Sequence, residues 1–92
     1  MTAKKRDTRH KEIREALKNA GFACFDTGAV GDGYPDLVVA NRRGTAALLY
    51  EIKSEGGVFT EDECRFMLKL VHPVYRVITT PEQAIEVLQN EG

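Results

Sequence analysis

The amino-acid sequence predicts an α/β domain in which helices flank one small mixed sheet. Three observations lead to this class. Apolar residues recur at helical spacing in three segments, short β-branched runs separate those segments, and residues 41–45 form a connection too short for a crossover. A chain of 92 residues is enough for one compact domain and no more. We therefore predict a single domain over residues 1–92, with elements in the order α-β-β-β-α-β-α.

The first helix is predicted over about residues 9–20, and Gly21 ends it. Asp7 or Thr8 can cap its start. Residues 1–8 are expected to form a flexible basic terminus. The apolar residues that define the buried face of this helix are Ile13, Ala16, Leu17 and Ala20.

Four segments have the composition of strands, namely residues 22–27, 36–40, 46–53 and 74–79. The second and third are short and almost entirely apolar, which is typical of strands buried on both faces. The glycine-rich segment before the second strand breaks regular structure.

Two further helices carry start signals. Thr60 and Glu63 have the spacing of a capping box, and Thr80 followed by Pro81 repeats a helix start. The second helix is predicted to bury a face formed by Phe66, Met67 and Leu70. The third is predicted to turn Ala84, Ile85 and Leu88 inward.

Charge is unevenly distributed although the net charge is only −1. Seven of the 13 Lys and Arg residues fall in the first 18 positions, and Arg42 and Arg43 add a second basic spot. A basic end is compatible with contact to a phosphate backbone. It is equally compatible with a solvated, partly frayed terminus.

The sequence favours an intracellular protein. No apolar run approaches the roughly 18 residues of a membrane helix, so no membrane partner is expected. The basic N-terminus has no apolar stretch behind it, unlike a secretory signal. Cys24 and Cys64 are isolated and are expected to be reduced thiols.

Hairpin arithmetic brings two carboxylates together. A two-residue loop at residues 43–44 or a four-residue loop at residues 42–45 both place Asp36 directly opposite Glu51. Directly opposed side chains have Cβ atoms about 4.5–5.5 Å apart. Lys53 lies two residues beyond Glu51 and shares its face. A three-residue loop would slip the register by one and turn Asp36 away.

Two opposed carboxylates repel each other unless a cation lies between them. Lys53 or a divalent metal ion such as Mg²⁺ could be that cation. Taken singly, a Pro-Asp pair is common turn chemistry and a Glu-x-Lys pair is often a surface ion pair. The joint placement on one face favours a functional site.

The motifs resemble those of the PD-(D/E)XK nuclease superfamily, especially its small stand-alone VRR-NUC-type proteins of phage or prophage origin. The likeness covers nearly the whole chain. It rests on the segments HKEI (10–13), GYPDL (33–37), YEIK (50–53), FTEDE (59–63) and VYRVITTPEQAIEVL (74–88). The resemblance implies a restriction-endonuclease-like αβββαβ core with a mixed sheet and a C-terminal helix.

The resemblance also implies a Mg²⁺- or Mn²⁺-dependent deoxyribonuclease that hydrolyses phosphodiester bonds, with branched or junction DNA as its substrate. Asp36 and Glu51 would bind the metal, with the backbone carbonyl of Ile52 as a further ligand. Lys53 would orient or activate the attacking water, or neutralise charge in the transition state. The alternatives are a catalytically inactive nucleic-acid-binding module of the same fold and a phage structural protein whose charges are ion pairs.

A further acid from the first helix is expected from the resemblance, and Glu12 matches it. Glu12 could instead simply favour a helix N-terminus. His10 reads as a partly exposed first-turn residue, with a phosphate contact as the alternative. Where the family has glutamine this chain has Glu63, which the capping box explains. DNA contacts are expected from His10, Arg9, Lys11, Arg14, Arg42 and Arg43.

The resemblance further suggests a cytoplasmic protein of a bacterium or a phage-infected cell, with no small-molecule cofactor. Because so small a chain offers little surface to a duplex, a symmetric homodimer is expected.

Overall fold

Three α-helices and four strands make up the computed structural model, which describes residues 2–54, 56–69 and 74–90. In chain order they are α1 (Thr2–Asn19), β1 (Ala23–Asp26), β2 (Leu37–Ala40), β3 (Ala47–Ile52), α2 (Glu61–Leu68), β4 (Tyr75–Ile78) and α3 (Pro81–Asn90). The order predicted from the sequence is confirmed. Each observed strand is one or two residues shorter than the segment predicted for it.

The first helix begins earlier than predicted. α1 is helical from Thr2 rather than from about residue 9. The flexibility expected for residues 1–8 stays a prediction. The segment contains Ala, Lys and Arg, which favour helix. Because it is polar, the spacing of apolar residues did not indicate this part of the helix. Consequently His10 lies in the middle of α1 and not in its first turn.

The four strands form one mixed sheet in the order β1-β2-β3-β4. β1, β2 and β3 pair antiparallel, whereas β3 and β4 pair parallel and are connected through α2. An α/β fold with a small mixed sheet was predicted, and it is confirmed. The parallel pair places the ends of β3 and β4 at the same edge of the sheet, beside the start of β2.

The hairpin between β2 and β3 has the four-residue loop. The Asn41 amide donates to the Ala46 carbonyl over 3.1 Å, which closes the loop over residues 42–45. The Asn41 side chain holds this loop internally, because its Oδ1 accepts from the Thr45 and Ala46 amides. Gly44 takes a φ of 70°, which suits glycine. The predicted register therefore holds, with Leu37 opposite Tyr50.

α1 and α3 cover one face of the sheet and build the core there. Ile13 and Leu17 from α1 are fully buried, as are Ala84 and Leu88 from α3. From the sheet the core takes Leu37, Val39, Leu48, Tyr50 and Ile78. The phenol of Tyr50 is satisfied by the Ala84 carbonyl at 2.7 Å. None of the helices in the described ranges is long and apolar enough to cross a bilayer.

α2 is attached differently. Its predicted start is confirmed, since the Thr60 side chain and Glu63 form a complete capping box. Its predicted buried face is not: Phe66 and Met67 are only half-buried, and Leu70 lies outside the described residues. The helix is short and acidic at its start, and it packs through the ring of Phe66 rather than through an apolar stripe.

Candidate active site

Asp36 and Glu51 meet at the edge of the sheet where β2 begins and β3 ends. The observed register pairs Leu37 with Tyr50, so the next pair is Asp36 with Glu51. Both are almost completely buried, at 2% and 3% exposed. Surface ion pairs contribute little and demand no explanation, whereas burying two neighbouring carboxylates is costly. The interpretation of these charges as surface ion pairs therefore does not fit.

Pro35 changes what the backbone offers at this edge. Along β2, every second residue forms a hydrogen-bonded pair with a residue of β3. Counted back from Asn41, which pairs with Ala46, this series places Pro35 opposite Ile52. Proline has no N–H, so β2 supplies no ladder donor to the Ile52 carbonyl. The Ile52 amide instead donates to Oδ2 of Asp36 at 2.9 Å. The Pro-Asp pair thus orients one carboxylate and leaves a neighbouring carbonyl oxygen without its ladder partner.

Thr27 fixes the backbone that carries this pair. Its amide donates to the Asp36 carbonyl at 2.9 Å, and its hydroxyl donates to the Pro35 carbonyl at 2.8 Å. The start of β2 is therefore held from the end of β1. This support is needed because the preceding loop contains three consecutive residues with positive φ, from Gly31 to Gly33.

Lys53 lies between two glutamates. Its Nζ is 2.7 Å from Oε1 of Glu63 and 3.6 Å from Oε2 of Glu51. The prediction that Lys53 shares a face with Glu51 is confirmed. Burial alone would lower the pKa of Lys53, but the hydrogen bond to Glu63 and the two carboxylate charges raise it above its ordinary value. Lys53 is therefore a cation held in place. Its Nζ also lies 5.4 Å from the centroid of the Phe59 ring.

Glu63 does more than cap α2. The same Oε1 that accepts the Thr60 amide at 2.8 Å also accepts from Lys53. Burial would raise the pKa of Glu63, yet the bonds from Lys53 and Thr60 lower it. The sequence reasoning that the capping box fully explains Glu63 was incomplete.

The surroundings of Glu51 oppose its negative charge. Burial, followed by repulsion from Asp36 and the proximity of Glu63, raises the pKa of Glu51 to about 8, against a lowering by Lys53. Its Oε1 is buried and has no hydrogen-bond partner among the described residues. A buried carboxylate oxygen without a donor favours either a proton or a cation at this point.

His10, and not Glu12, is the α1 residue that reaches the site. His10 is buried, and its Nε2 lies 3.3 Å from Oδ1 of Asp36. Glu12 is exposed. The expectation of a partly exposed first-turn histidine is wrong, because α1 starts at Thr2. The spacing contained this signal: His10 lies about 60° around the helix from buried Ile13, whereas Glu12 lies about 100° away.

The glycine-rich loop brings α2 to the site. A Cβ at Gly33 would collide with the backbone carbonyl of Asp62, and Gly33 has a φ of 78°. Both facts require glycine there. The next residue, Tyr34, contacts the Phe66 ring with centroids 5.1 Å apart. This close approach of the loop to the first turn of α2 is what places Glu63 opposite Lys53.

The basic residues expected to contact DNA fall into two groups. Arg9 is at the site edge, where its guanidinium donates to the Thr79 carbonyl at 2.8 Å. On the same helix Lys11 is exposed, while Arg14 lies 3.8 Å from Asp26.

Arg42 and Arg43 follow β2 at its other end, about 20 Å from Asp36 at the rise of an extended strand. The Arg42 guanidinium donates twice to the Ala20 carbonyl and lies over the Phe22 ring. Arg42 thus closes the C-terminus of α1. Both arginines therefore form a second basic spot, apart from the carboxylates, and their contact with DNA stays a prediction.

The donor set fits a hard divalent cation. Within the described ranges, no three His, Cys, Asp or Glu side chains are grouped as a metal site. What the edge does offer is two carboxylates, one with its Oε1 unpaired in Glu51, and the Ile52 carbonyl, to which Pro35 supplies no ladder donor. Mg²⁺ is commonly bound through one or two carboxylates while it keeps several waters. An all-oxygen set of this size is consistent with Mg²⁺ or Mn²⁺.

Comparison of the chain with protein-family models, with curated proteins and with solved structures found no match. The nuclease interpretation therefore depends on the motifs and on the geometry of the site.

Proposed function

We propose that the chain is a metal-dependent DNA endonuclease with a restriction-endonuclease-like αβββαβ core of the VRR-NUC type. One observation carries the proposal. Asp36 and Glu51 are buried opposite each other at a sheet edge, beside Lys53 and an Ile52 carbonyl without its ladder donor. Buried ionisable groups with perturbed pKa values cluster at functional sites, which supports a ligand-binding role for this edge.

Each residue has a definable part in phosphodiester hydrolysis. Asp36 and Glu51 would hold Mg²⁺ or Mn²⁺ with the Ile52 carbonyl. The metal, when bound, would lower the pKa of a water and stabilise charge on the scissile phosphate. The Ile52 amide and His10 keep the Asp36 carboxylate oriented. Lys53 presents a positive charge where negative charge develops on the phosphate.

DNA is the proposed substrate because the site edge is bordered by the basic helix α1. Arg9 and Lys11 lie on the part of α1 whose His10 reaches Asp36, so a phosphate backbone could follow this surface to the site. We propose branched or junction DNA as the preferred form, in line with the VRR-NUC resemblance.

The proposal is tested by a cleavage panel. Labelled single-stranded, duplex and four-way-junction DNA are incubated with the protein and Mn²⁺, and products are resolved on denaturing gels. Cleavage should be lost in Asp36→Asn, Glu51→Gln and Lys53→Ala. The matched control is Glu86→Gln, an exposed position on α3, which should cleave like wild type. Cleavage that persists in the three site variants would come from a contaminant and would refute the proposal.

An inactive nucleic-acid-binding module is the alternative, and metal-linked melting separates it from a nuclease. A cation that binds only the folded protein raises the melting temperature. Millimolar Mg²⁺ or Mn²⁺ should therefore stabilise wild type but not Asp36→Asn. DNA binding without cleavage and without this metal response would favour the binding module.

A further inference from the structure

Three buried side-chain atoms lack a hydrogen-bond partner within the described part of the chain. They are Nε of Arg14, Oε1 of Glu51 and the hydroxyl oxygen of Tyr75. Buried polar atoms in folded proteins are nearly always bonded, so each exception needs an explanation. Two of them, Oε1 of Glu51 and the Tyr75 hydroxyl oxygen, lie at the proposed active site, and no sequence motif includes Tyr75 as a candidate site residue.

Tyr75 faces the proposed active site from β4. The register pairs Leu49 with Tyr75 and Glu51 with Val77, so Tyr75 and Glu51 are diagonal neighbours on one face of the sheet. Long side chains in that relation reach each other. Burial, then the charges of Glu51 and Glu63, and then the nearness of the Glu51 carboxylate as a hydrogen-bond acceptor raise the pKa of Tyr75. The phenol hydroxyl therefore faces the acidic groups of the site.

The ring of Tyr75 is held by packing. Its centroid lies 6.1 Å from that of Phe66, and Phe66 makes an edge contact with Tyr34 in the glycine-rich loop. This aromatic row fixes the direction of the phenol without using its hydroxyl. Tyr50 shows the contrast, because its equally buried hydroxyl is bonded to the Ala84 carbonyl.

We propose that Tyr75 is a ligand-contacting residue of the site, and that its hydroxyl donates a hydrogen bond to an oxygen of the substrate phosphodiester or of the attacking water. The inference rests on the proposed function. A neutral donor suits this position, since another cation would compete with Lys53 for the carboxylates, while an acceptor would repel the phosphate.

Tyr75→Phe tests this role, with Tyr50→Phe as the matched control. Tyr75→Phe keeps the ring contact with Phe66 and removes only an unbonded hydroxyl, so the melting temperature should be unchanged or higher. The kcat or kcat/KM for DNA cleavage should fall about 10- to 100-fold, as expected for loss of one hydrogen bond to a charged group. Tyr50→Phe should do the opposite, with a lower melting temperature and unchanged cleavage. A stability loss in Tyr75→Phe like that of Tyr50→Phe, or unchanged cleavage and DNA binding, overturns the proposal.

Binding of fluorescein-labelled duplex DNA in Ca²⁺, followed by anisotropy, distinguishes the two acceptors. At least threefold weaker binding by Tyr75→Phe identifies a phosphodiester oxygen, whereas equal binding with reduced kcat identifies the attacking water. If wild type binds but cleaves no DNA, the nuclease proposal fails separately. Tyr75 is then judged on this affinity: weaker binding by Tyr75→Phe supports its role, and equal binding overturns it. Absence of DNA binding by wild type overturns both.

Discussion

Neutralising Glu51 should stabilise the metal-free protein while destroying its site. Glu51→Gln keeps the shape of the side chain and removes the charge that burial, Asp36 and Glu63 oppose. We expect this variant to be more stable than wild type at pH 8 in EDTA. A gain in stability from losing a proposed catalytic residue is the pattern of a site whose arrangement is strained without its ligand.

The expected size follows from the pKa. Raising the pKa of Glu51 from 4.5 to about 8 corresponds to roughly 5 kcal/mol between its two protonation states, which is an upper limit. Because Lys53 can move and water can enter the site, we expect Glu51→Gln to raise the free energy of unfolding by about 1–3 kcal/mol. Because the folded-state pKa is raised, the contribution of Glu51 to stability is complete below pH 4.5 and is lost as the pH rises through about 8. The two proteins should therefore be nearly equal at pH 4.5 and diverge towards pH 8.

Thermal and urea unfolding at several pH values between 4.5 and 8.5 measure this difference. For a chain of this length each kcal/mol moves the melting temperature by about 4–8 °C. The exposed control Glu86→Gln should follow wild type at every pH. Adding Mn²⁺ at ten times its Kd should stabilise wild type by about 1.4 kcal/mol and leave Glu51→Gln unchanged.

A Glu51→Gln variant that is no more stable than wild type at pH 8 in EDTA would refute the view that the Glu51 charge destabilises the fold. A stability difference that does not vary with pH would refute the electrostatic cause specifically.

Three other perturbations have defined outcomes. Gly33→Ala should reduce cleavage at least tenfold and cost about 1–3 kcal/mol, because its Cβ collides with the first turn of α2; unchanged activity measured on the purified variant would show that the loop contact is dispensable. Arg42→Ala should lower the free energy of unfolding by about 0.5–1.5 kcal/mol through loss of its bonds to the Ala20 carbonyl, with cleavage per folded molecule unaffected; a cleavage defect would restore Arg42 to the DNA surface. Sedimentation equilibrium should give twice the 10.3 kDa of one chain, as expected for a homodimer, and a monomer at tens of micromolar would contradict that expectation.

The carboxylate pair could be predicted from sequence because a hairpin is local. Once Asn41 and Ala46 close the loop, the period of two determines which residues oppose each other along both strands. The capping box of α2 was equally readable, since Thr60 and Glu63 are three residues apart. Both features depend on short stretches of chain whose geometry allows few alternatives.

The remaining site residues come from elements that are distant in sequence. His10 reaches Asp36 only because α1 packs with one particular rotation over the sheet. Tyr75 reaches the carboxylates because β4 adds parallel to β3 through α2. Sequence periodicity identifies the buried face of a helix but not which neighbour that face meets, so these contacts required the tertiary structure.

The weak attachment of α2 has a consequence for dynamics. The helix buries no residue fully among those described, yet it supplies the carboxylate that holds Lys53. Elements with few buried apolar contacts open at a lower free energy than the whole domain unfolds. Amide exchange in α2 should therefore be faster than in β3. A molecule in which α2 is detached would keep its core but lose the contact between Glu63 and Lys53.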